Sequence, residues 1–184
     1  MNKFSVVFMP DSETVALVKE MKLRLAAEIG WYNSKNGLAH FTIFEFLAEE
    51  DAEASFCSQL ERIASHIAPF NVRCRSFDWF QNGAFYLKPD IPSSEQMTVL
   101  MQQVISESTR IKKTITSTTP HLSIARRLSP EQLHTACNMF SDADIEFPVD
   151  FLTLRKFDDH LKQFTIWKQF SLAGKPKEVQ GCLF

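Results

Sequence analysis

The sequence predicts an α+β fold of two lobes related by a pseudo-twofold axis, in which helices cover antiparallel β-sheets. Strand-like and helix-like segments interleave along the chain and include two hairpins, a pattern typical of this class. A short motif also recurs, because residues 40–43 (His-Phe-Thr-Ile) align with residues 121–124 (His-Leu-Ser-Ile) at an offset of 81 positions. A helix and then a hairpin follow each copy. Repetition on this scale indicates two equivalent lobes.

The predicted strands are rich in Phe, Val, Ile and Thr, the residues that favour a pleated surface. The first strand ends at Pro10, and the Gln-Asn-Gly sequence at 81–83 predicts a hairpin turn. A second hairpin is predicted to turn at residues 158–160. In chain order the predicted strands are residues 4–9, 38–47, 72–80, 84–88, 121–126, 149–157 and 163–172.

Helices are predicted where apolar residues recur at intervals of three and four. The first begins after the capping pair Asp11-Ser12 and ends at Gly30, and the last begins at Ser129-Pro130, with proline at its first position. A polar loop, residues 31–37, separates the first helix from the second strand. The predicted helices are residues 13–29, 49–67, 93–110 and 130–140.

Composition places the chain among ordinary globular proteins. It has 184 residues, of which 45% are hydrophobic and 23% charged. A chain of this length buries about 70% of its unfolded surface on folding. Seventeen Phe against two Tyr and three Trp predict an aromatic core, since Phe has no polar group to satisfy. We expect residues 1–172 to form a single bilobal domain and residues 173–184 a C-terminal tail.

Charge and cysteine content exclude several classes of protein. A net charge of −2 and a pI near 6.2 argue against binding of long nucleic acid through the overall electrostatic field. They do not argue against a local basic pocket. No run reaches the ~18 apolar residues of a membrane span, and no signal peptide precedes the first strand. The four cysteines form no CxxC pair, which favours reduced thiols. We therefore expect a cytoplasmic protein without membrane contact.

The two repeated motifs carry candidate catalytic residues. Because strand side chains alternate, His40 and Thr42 share one face, and His121 and Ser123 share the equivalent face of the other strand. An imidazole with a pKa near 6.5 serves as base or as acid at neutral pH. Two such groups suit in-line displacement at a phosphodiester, where oxygens enter and leave on opposite sides of phosphorus, and hydroxyls can donate to the remaining oxygens. This chemistry requires no metal and no cofactor. We assign His121 as the base and His40 as the acid.

The paired tetrads resemble those of the two-histidine phosphoesterase superfamily, and in particular its branch of RNA 2′,5′-ligase-like proteins and cyclic nucleotide phosphodiesterases. The resemblance covers nearly the whole chain, from the opening strand to residues 152–155. It implies a cleft between two antiparallel sheets with helices outside. It also maps the family's histidines onto His40 and His121, its hydroxyl residues onto Thr42 and Ser123, and a basic residue onto Arg126.

The first lobe departs from the pattern at two positions. Ala39 stands where the family frequently has proline. Glu45 occupies the position equivalent to Arg126, so a carboxylate stands where a second cation would help to bind RNA. The expected partner is therefore a small phosphodiester, such as a nucleotide or RNA-end cyclic phosphate. Strict alternation points Arg126 away from the imidazoles, and only a β-bulge or a strand end would return it.

Other candidates keep two interpretations each. Lys35 is placed either at the cleft mouth, as a substrate-binding residue, or at the surface. Tyr86 and Trp167 either stack a base or sugar, Tyr86 being our substrate-binding candidate, or belong to the core. His160, beside Asp158 and Asp159, is either part of a metal-ligand cluster or a residue of an ordinary turn. The turn is favoured, because adjacent residues on a turn rarely hold one metal ion.

The function hypothesis is a metal-independent phosphoesterase that opens 2′,3′-cyclic phosphates or related cyclic phosphodiesters. RNA 2′-5′ ligation would share this site, with an RNA 5′-hydroxyl replacing water. One alternative is a binding module for a phosphorylated small molecule or RNA end that does not turn its ligand over. Another is a metal-dependent hydrolase that uses histidines with Asp158 or Asp159. We expect the chain to act as a monomer.

Overall fold

The computed structural model describes residues 1–32 and 34–177. Its strands are β1 (Asn2–Phe8), β2 (Phe41–Ala48), β3 (Phe70–Trp79), β4 (Phe85–Pro89), β5 (Lys113–Thr116), β6 (Leu122–Ala125), β7 (Ile145–Val149), β8 (Phe151–Asp158) and β9 (Gln163–Ser171). Its helices are α1 (Ser12–Ile29), α2 (Glu53–Ser65), α3 (Ile91–Glu107) and α4 (Pro130–Met139), with a 3-10 turn at Glu50–Ala52.

The strands form two antiparallel sheets. The first has the order β5-β2-β1-β8-β9 and the second the order β6-β4-β3-β7. Helices α1, α2 and α3 pack against these sheets and α4 packs against α1, so the fold is α+β, as the sequence predicts. A continuous core rich in phenylalanine joins them, including the stacked rings of Phe4 and Phe46, whose centroids are 5.3 Å apart. No helix within the described residues is long and apolar enough to cross a bilayer.

The internal repeat is longer than the motif indicates. The run β1-α1-β2-α2-β3 corresponds to the run β4-α3-β6-α4-β8, and the last strand of each run joins the sheet of the other. Three strands in the order β2-β1-β8 therefore match three in the order β6-β4-β3. The exchange of strands ties the two lobes together and puts the motif strands β2 and β6 in equivalent positions.

Two strands are absent from the sequence prediction. Strand β5 lies in the Thr/Ser-rich stretch at an edge of the first sheet, and three of its four side chains are exposed, so it carries no hydrophobic alternation. Strand β7 contains Pro148, which an edge strand tolerates because one side of it faces no neighbour. The predicted strand 149–157 is wrong at its start, since the chain passes from one sheet to the other at Asp150.

The chain after β9 returns to the end of α2. The backbone N–H groups of Gly174 and Lys175 donate to the carbonyls of Ile67 and Ser65, at 3.0 and 2.8 Å. His66 Nδ1 lies 3.0 Å from the Lys175 carbonyl. Residues 173–177 of the predicted tail thus contact the domain, and residues 178–184, including Cys182, lie outside the described residues. The boundary at residue 172 stays a prediction.

Candidate active site

His40 and His121 are held in the same way in the two lobes. Each directly precedes its motif strand, β2 or β6. The Nδ1 atom of His40 lies 2.6 Å from the carbonyl of Leu38, and Nδ1 of His121 lies 2.8 Å from the carbonyl of Thr119. Because a carbonyl only accepts, Nδ1 carries the hydrogen in both rings. Nε2 is then the atom of each imidazole that is left to exchange a proton with a substrate.

A β-bulge at the last residue of each motif decides where the next polar residue points. In the β1–β2 pair, Val7 lies opposite Thr42 and Val6 opposite Phe44, so one residue of β2 is unpaired. The β4–β6 pair has the same irregularity one residue after Ser123. An extra residue shifts the alternation of side chains by one. Arg126 is thereby returned to the face of Ser123, where strict alternation would have pointed it away.

One cavity of about 610 Å³ brings residues of both lobes together. His40 and Lys35 of the first lobe line it, together with Ser123 and Arg126 of the second. Thr42, His121 and Tyr86 are not among its described lining residues, although Thr42 and His121 are partly exposed. Among the described residues, six cationic side chains and one carboxylate, Glu45, line the cavity. The cations are Lys22, Lys35, Arg126, Arg127, Arg155 and Lys162.

Burial and neighbouring cations lower the pKa of both imidazoles. For His40 desolvation is the largest cause and Arg155 is the largest charge, and together they put its pKa well below the ordinary value of 6.5. For His121 desolvation again comes first, and Arg126 adds to it in lowering the pKa. Arg126 acts on both histidines, so both rings lie within electrostatic reach of one guanidinium.

Tyr86 lies against His121 rather than in the cavity. It is only 6% exposed, and its ring centroid is 5.6 Å from that of His121 and 4.6 Å from that of Phe80. The ring of Phe80 also meets the edge of the His121 ring, at 5.2 Å. Tyr86 shares a side-chain hydrogen bond with Asp78, its partner across the β3–β4 pair. The contacts of Tyr86 are those of a residue that positions His121.

Trp167 is not a core residue. It is 45% exposed on β9, its Nε1 donates to Glu53 at 2.9 Å, and the ammonium of Lys156 lies 4.6 Å from its ring centroid. The core interpretation of this side chain is therefore wrong. Trp167 is not among the described lining residues of the cavity either.

Several cavity residues are absent from the sequence prediction of the site, among them the buried cations Arg155 and Lys22. Arg155 follows Leu152, Thr153 and Leu154 on β8, where apolar and polar residues alternate, so its face could have been read from this pattern. Lys22 stands four residues after Val18 and three before Leu25, on the buried stripe of α1. A lysine on such a stripe is a signal in itself, since lysine is almost never fully buried unless it is paired.

The turn at residues 158–160 has no metal-binding geometry. The backbone N–H groups of His160 and Leu161 donate to Asp158 Oδ1, at 2.8 and 2.9 Å, as expected for an aspartate that caps a turn. Within residues 1–32 and 34–177, no three His, Cys, Asp or Glu side chains are grouped so that they could hold a metal ion. Cys57, Cys74 and Cys137 are free thiols.

Comparison with known protein families agrees with this geometry. The family model of the 2′-5′ RNA ligase superfamily matches residues 10–161. The chain belongs to this superfamily. No protein of curated function matches it in sequence.

Solved structures of other proteins have the same fold as this chain. TT0787 of Thermus thermophilus is 22% identical with a TM-score of 0.61, and the match covers 96% of this chain and 100% of that one. A structure described as a phosphoesterase is 15% identical with a TM-score of 0.63 over 94% and 99% of the two chains. Escherichia coli LigT, crystallised with 3′-AMP, is 15% identical with a TM-score of 0.60 over 93% and 98%. Membership of the superfamily supports an enzyme of the phosphoesterase or ligase type.

Proposed function

We propose that the chain is a metal-independent phosphoesterase that opens 2′,3′-cyclic phosphates, or related small cyclic phosphodiesters, by acid–base catalysis with two histidines. The observation that carries the proposal is the matched pair of hydrogen bonds from Nδ1 of His40 and His121 to backbone carbonyls. These bonds leave both Nε2 atoms for proton transfer. The shared influence of Arg126 supports placing both rings around one phosphate.

The charges around the rings favour His40 as the base and His121 as the acid, the reverse of our assignment from sequence. Arg155 disfavours the protonated form of His40, so this ring is neutral before substrate binds. His40 Nε2 takes a proton from water as the water oxygen bonds to phosphorus. His121, whose pKa is lowered less than that of His40, enters the reaction as the imidazolium. Its Nε2–H gives its proton to the ribose oxygen as the ring P–O bond breaks, which leaves a neutral His121 and a phosphate monoester as the product.

The remaining motif residues act on the phosphate oxygens. Thr42 and Ser123 donate hydrogen bonds to the non-bridging oxygens, and the Arg126 guanidinium offsets their negative charge. Ligation uses the same groups in the same roles, with an RNA 5′-hydroxyl attacking phosphorus in the place of water. The position of Glu45 in the cavity favours a small diester over an RNA chain. The nucleotide bound by LigT, 3′-AMP, is a monoester of the kind that such hydrolysis releases.

The proposal is tested by turnover of 2′,3′-cyclic nucleotides in the presence of a chelator. Wild-type protein should be active, and His40→Ala and His121→Ala should each lower kcat/KM by about 10²–10⁴-fold. His134→Ala is the control, because His134 is exposed on α4, where its ring bonds to Asn138. Full activity in both motif variants, or loss of activity with chelator alone, would exclude this mechanism. A nucleotide that stays bound and intact for hours would indicate a binding module.

The assignment of acid and base has a separate test. An aryl phosphodiester has a leaving group that departs without protonation. His121→Ala should therefore keep much more of its activity on the aryl diester than on the cyclic nucleotide, whereas His40→Ala should lose activity on both. The opposite pattern would restore the assignment made from sequence.

A further inference from the structure

Arg155 is a buried cation whose charge has no direct ion-pair partner among the described residues. It is 3% exposed, and its Nη2 donates to Ser5 Oγ at 3.1 Å. Its Nε has no hydrogen-bond partner among residues 1–32 and 34–177. The carboxylate that acts on it, Glu45, forms its ion pair with Lys3 instead, at 2.7 Å. The guanidinium also lies 5.1 Å from the ring centroid of Phe164, a weaker form of compensation.

Lys22 is a second buried cation in the same cavity. It is 2% exposed, and its Nζ donates to the carbonyls of Gly37 and Ser34, at 2.7 and 3.3 Å. An ammonium has three hydrogens, so one remains for another acceptor. Burial is the first cause and nearby Arg126 the second that lower its pKa to about 8. Within the described part of the chain, each charged group that shifts the pKa of Lys22 is itself a cation.

Buried cations without counter-ions are costly, and an anion that enters the cavity offsets the cost. We propose that Lys22 and Arg155 form a second anion subsite, which binds a second phosphate group of the substrate. The inference rests on the proposed function, since it extends the substrate from a cyclic phosphodiester to one that carries another phosphate. Ser34 Oγ, which is buried and has no hydrogen-bond partner among the described residues, is a further donor at the subsite.

The subsite is separate from the phosphorus atom that reacts. Thr42 of the first motif lies opposite Val7 of β1, whereas Arg155 lies opposite Ser5, two residues earlier in β1. Two residues of strand correspond to about 7 Å. The two phosphates of the substrate are therefore expected to sit one pleat of the sheet apart. A nucleoside cyclic phosphate with a 5′-phosphate has its second anion on the far side of the ribose and is the substrate class that we assign.

Binding of two product analogues tests the subsite without any need for turnover. Adenosine 3′,5′-bisphosphate and 3′-AMP are titrated calorimetrically in a buffer free of phosphate. Wild-type protein should bind the bisphosphate about tenfold or more tightly than 3′-AMP, as expected for charge-assisted hydrogen bonds to the second phosphate. Arg155→Met and Lys22→Met should each remove most of this preference. Arg24→Met removes the same charge from the exposed face of α1 and should preserve it.

Each outcome separates the subsite from the proposed function. Equal affinity of wild-type protein for the two nucleotides, or a preference that survives in both variants, would overturn the subsite even if cyclic nucleotides are hydrolysed. A preference lost in both variants would support the subsite even if turnover is absent. Thermal unfolding checks that Arg155→Met still folds, because removal of an unpaired buried charge should not lower its stability in the absence of nucleotide.

Discussion

Ile43 and Ile124 are the unpaired residues of two matching β-bulges, one in each lobe. Ile43 stands between the pairs Val7–Thr42 and Val6–Phe44, and Ile124 stands at the corresponding step of the β4–β6 ladder. Each bulge turns the polar residue two positions later toward the cavity. In the first lobe that residue is Glu45, and in the second it is Arg126. The backbone of the site is thus nearly symmetric, and its charge is not.

The first prediction concerns this asymmetry. Glu45→Gln removes the carboxylate from a cavity that otherwise presents cations, so anionic substrates should bind more tightly. We expect KM for a cyclic nucleotide to fall about threefold at low ionic strength, with little change in kcat, and the gain to shrink as salt screens the charges. Steady-state kinetics at two salt concentrations measures this. Glu28→Gln, on the exposed face of α1, is the matched control and should change neither constant. A higher KM in Glu45→Gln would show that the carboxylate binds substrate.

The second prediction concerns the pH profile of kcat/KM, which reports the pKa values of the free enzyme. Arg155 disfavours protonated His40, so Arg155→Met should raise the pKa of His40 and move the acidic limb to higher pH. The charge that acts on His121 is Arg126, so the alkaline limb should stay in place. Arg126→Met should move both limbs to higher pH.

The measured quantity is the pH at which each limb of the kcat/KM profile falls, not the height of the profile. Both arginines also bind phosphate in our proposal, so either substitution lowers the whole profile. Profiles should be recorded from about pH 4 to 9 at constant ionic strength, a range that brackets the ordinary pKa of histidine. If the alkaline limb moved in Arg155→Met and the acidic limb did not, the link between Arg155 and His40 would be wrong.

The sequence contains the information for the fold class and the two motifs, but not for the charges that surround them. His40 and His121 could be found because a repeated tetrad is a local pattern. The role of Arg155 depends on β8 lying beside β1, a contact between residues 150 positions apart. The bulges were equally hidden, because a bulge is a property of the pairing of two strands rather than of one. Arg126 could therefore be named from sequence but not oriented.

The third prediction concerns Gly83, at the hairpin between β3 and β4. Its φ is +76°, and a Cβ there would lie 2.4 Å from the carbonyl oxygen of Leu128 and 2.8 Å from its nitrogen. Gly83→Ala should lower the free energy of unfolding by more than about 2 kcal/mol, because both strain and a backbone clash oppose it. It should also lower kcat/KM, since Leu128 follows Arg126 by two residues and the clash displaces this loop.

Gly30 provides the control for the steric part of that effect. Its φ of +78° is nearly the same, but a Cβ there meets nothing within 4 Å. Its ψ of −162° puts Gly30 in a backbone region nearly confined to glycine, so Gly30→Ala should cost about 1–3 kcal/mol from strain alone. Gly83→Ala should cost more than Gly30→Ala, because the clash with Leu128 adds to its strain. Chemical denaturation of both variants gives the two values. Equal losses would mean that the Leu128 backbone moves aside without cost.

The fourth prediction concerns Lys22 and the dependence of stability on pH. Burial lowers the pKa of Lys22 from 10.5 in the unfolded chain to about 8 in the folded one. Between these values the unfolded chain holds a proton that the folded chain has released, so the free energy of unfolding should rise with pH in this window. Below about pH 8 both states are protonated, and the contribution of Lys22 is constant.

The wild-type protein should therefore gain stability relative to Lys22→Met as pH increases from 8 to 10.5, by on the order of 2 kcal/mol. Urea denaturation of both proteins at several pH values, in a buffer without phosphate, measures the difference. Addition of pyrophosphate should shift the gain to higher pH, because an anion beside Lys22 favours its charged form. A difference that stays constant across the window would show that Lys22 keeps its ordinary affinity for the proton, and the cavity would then be better hydrated than its burial indicates.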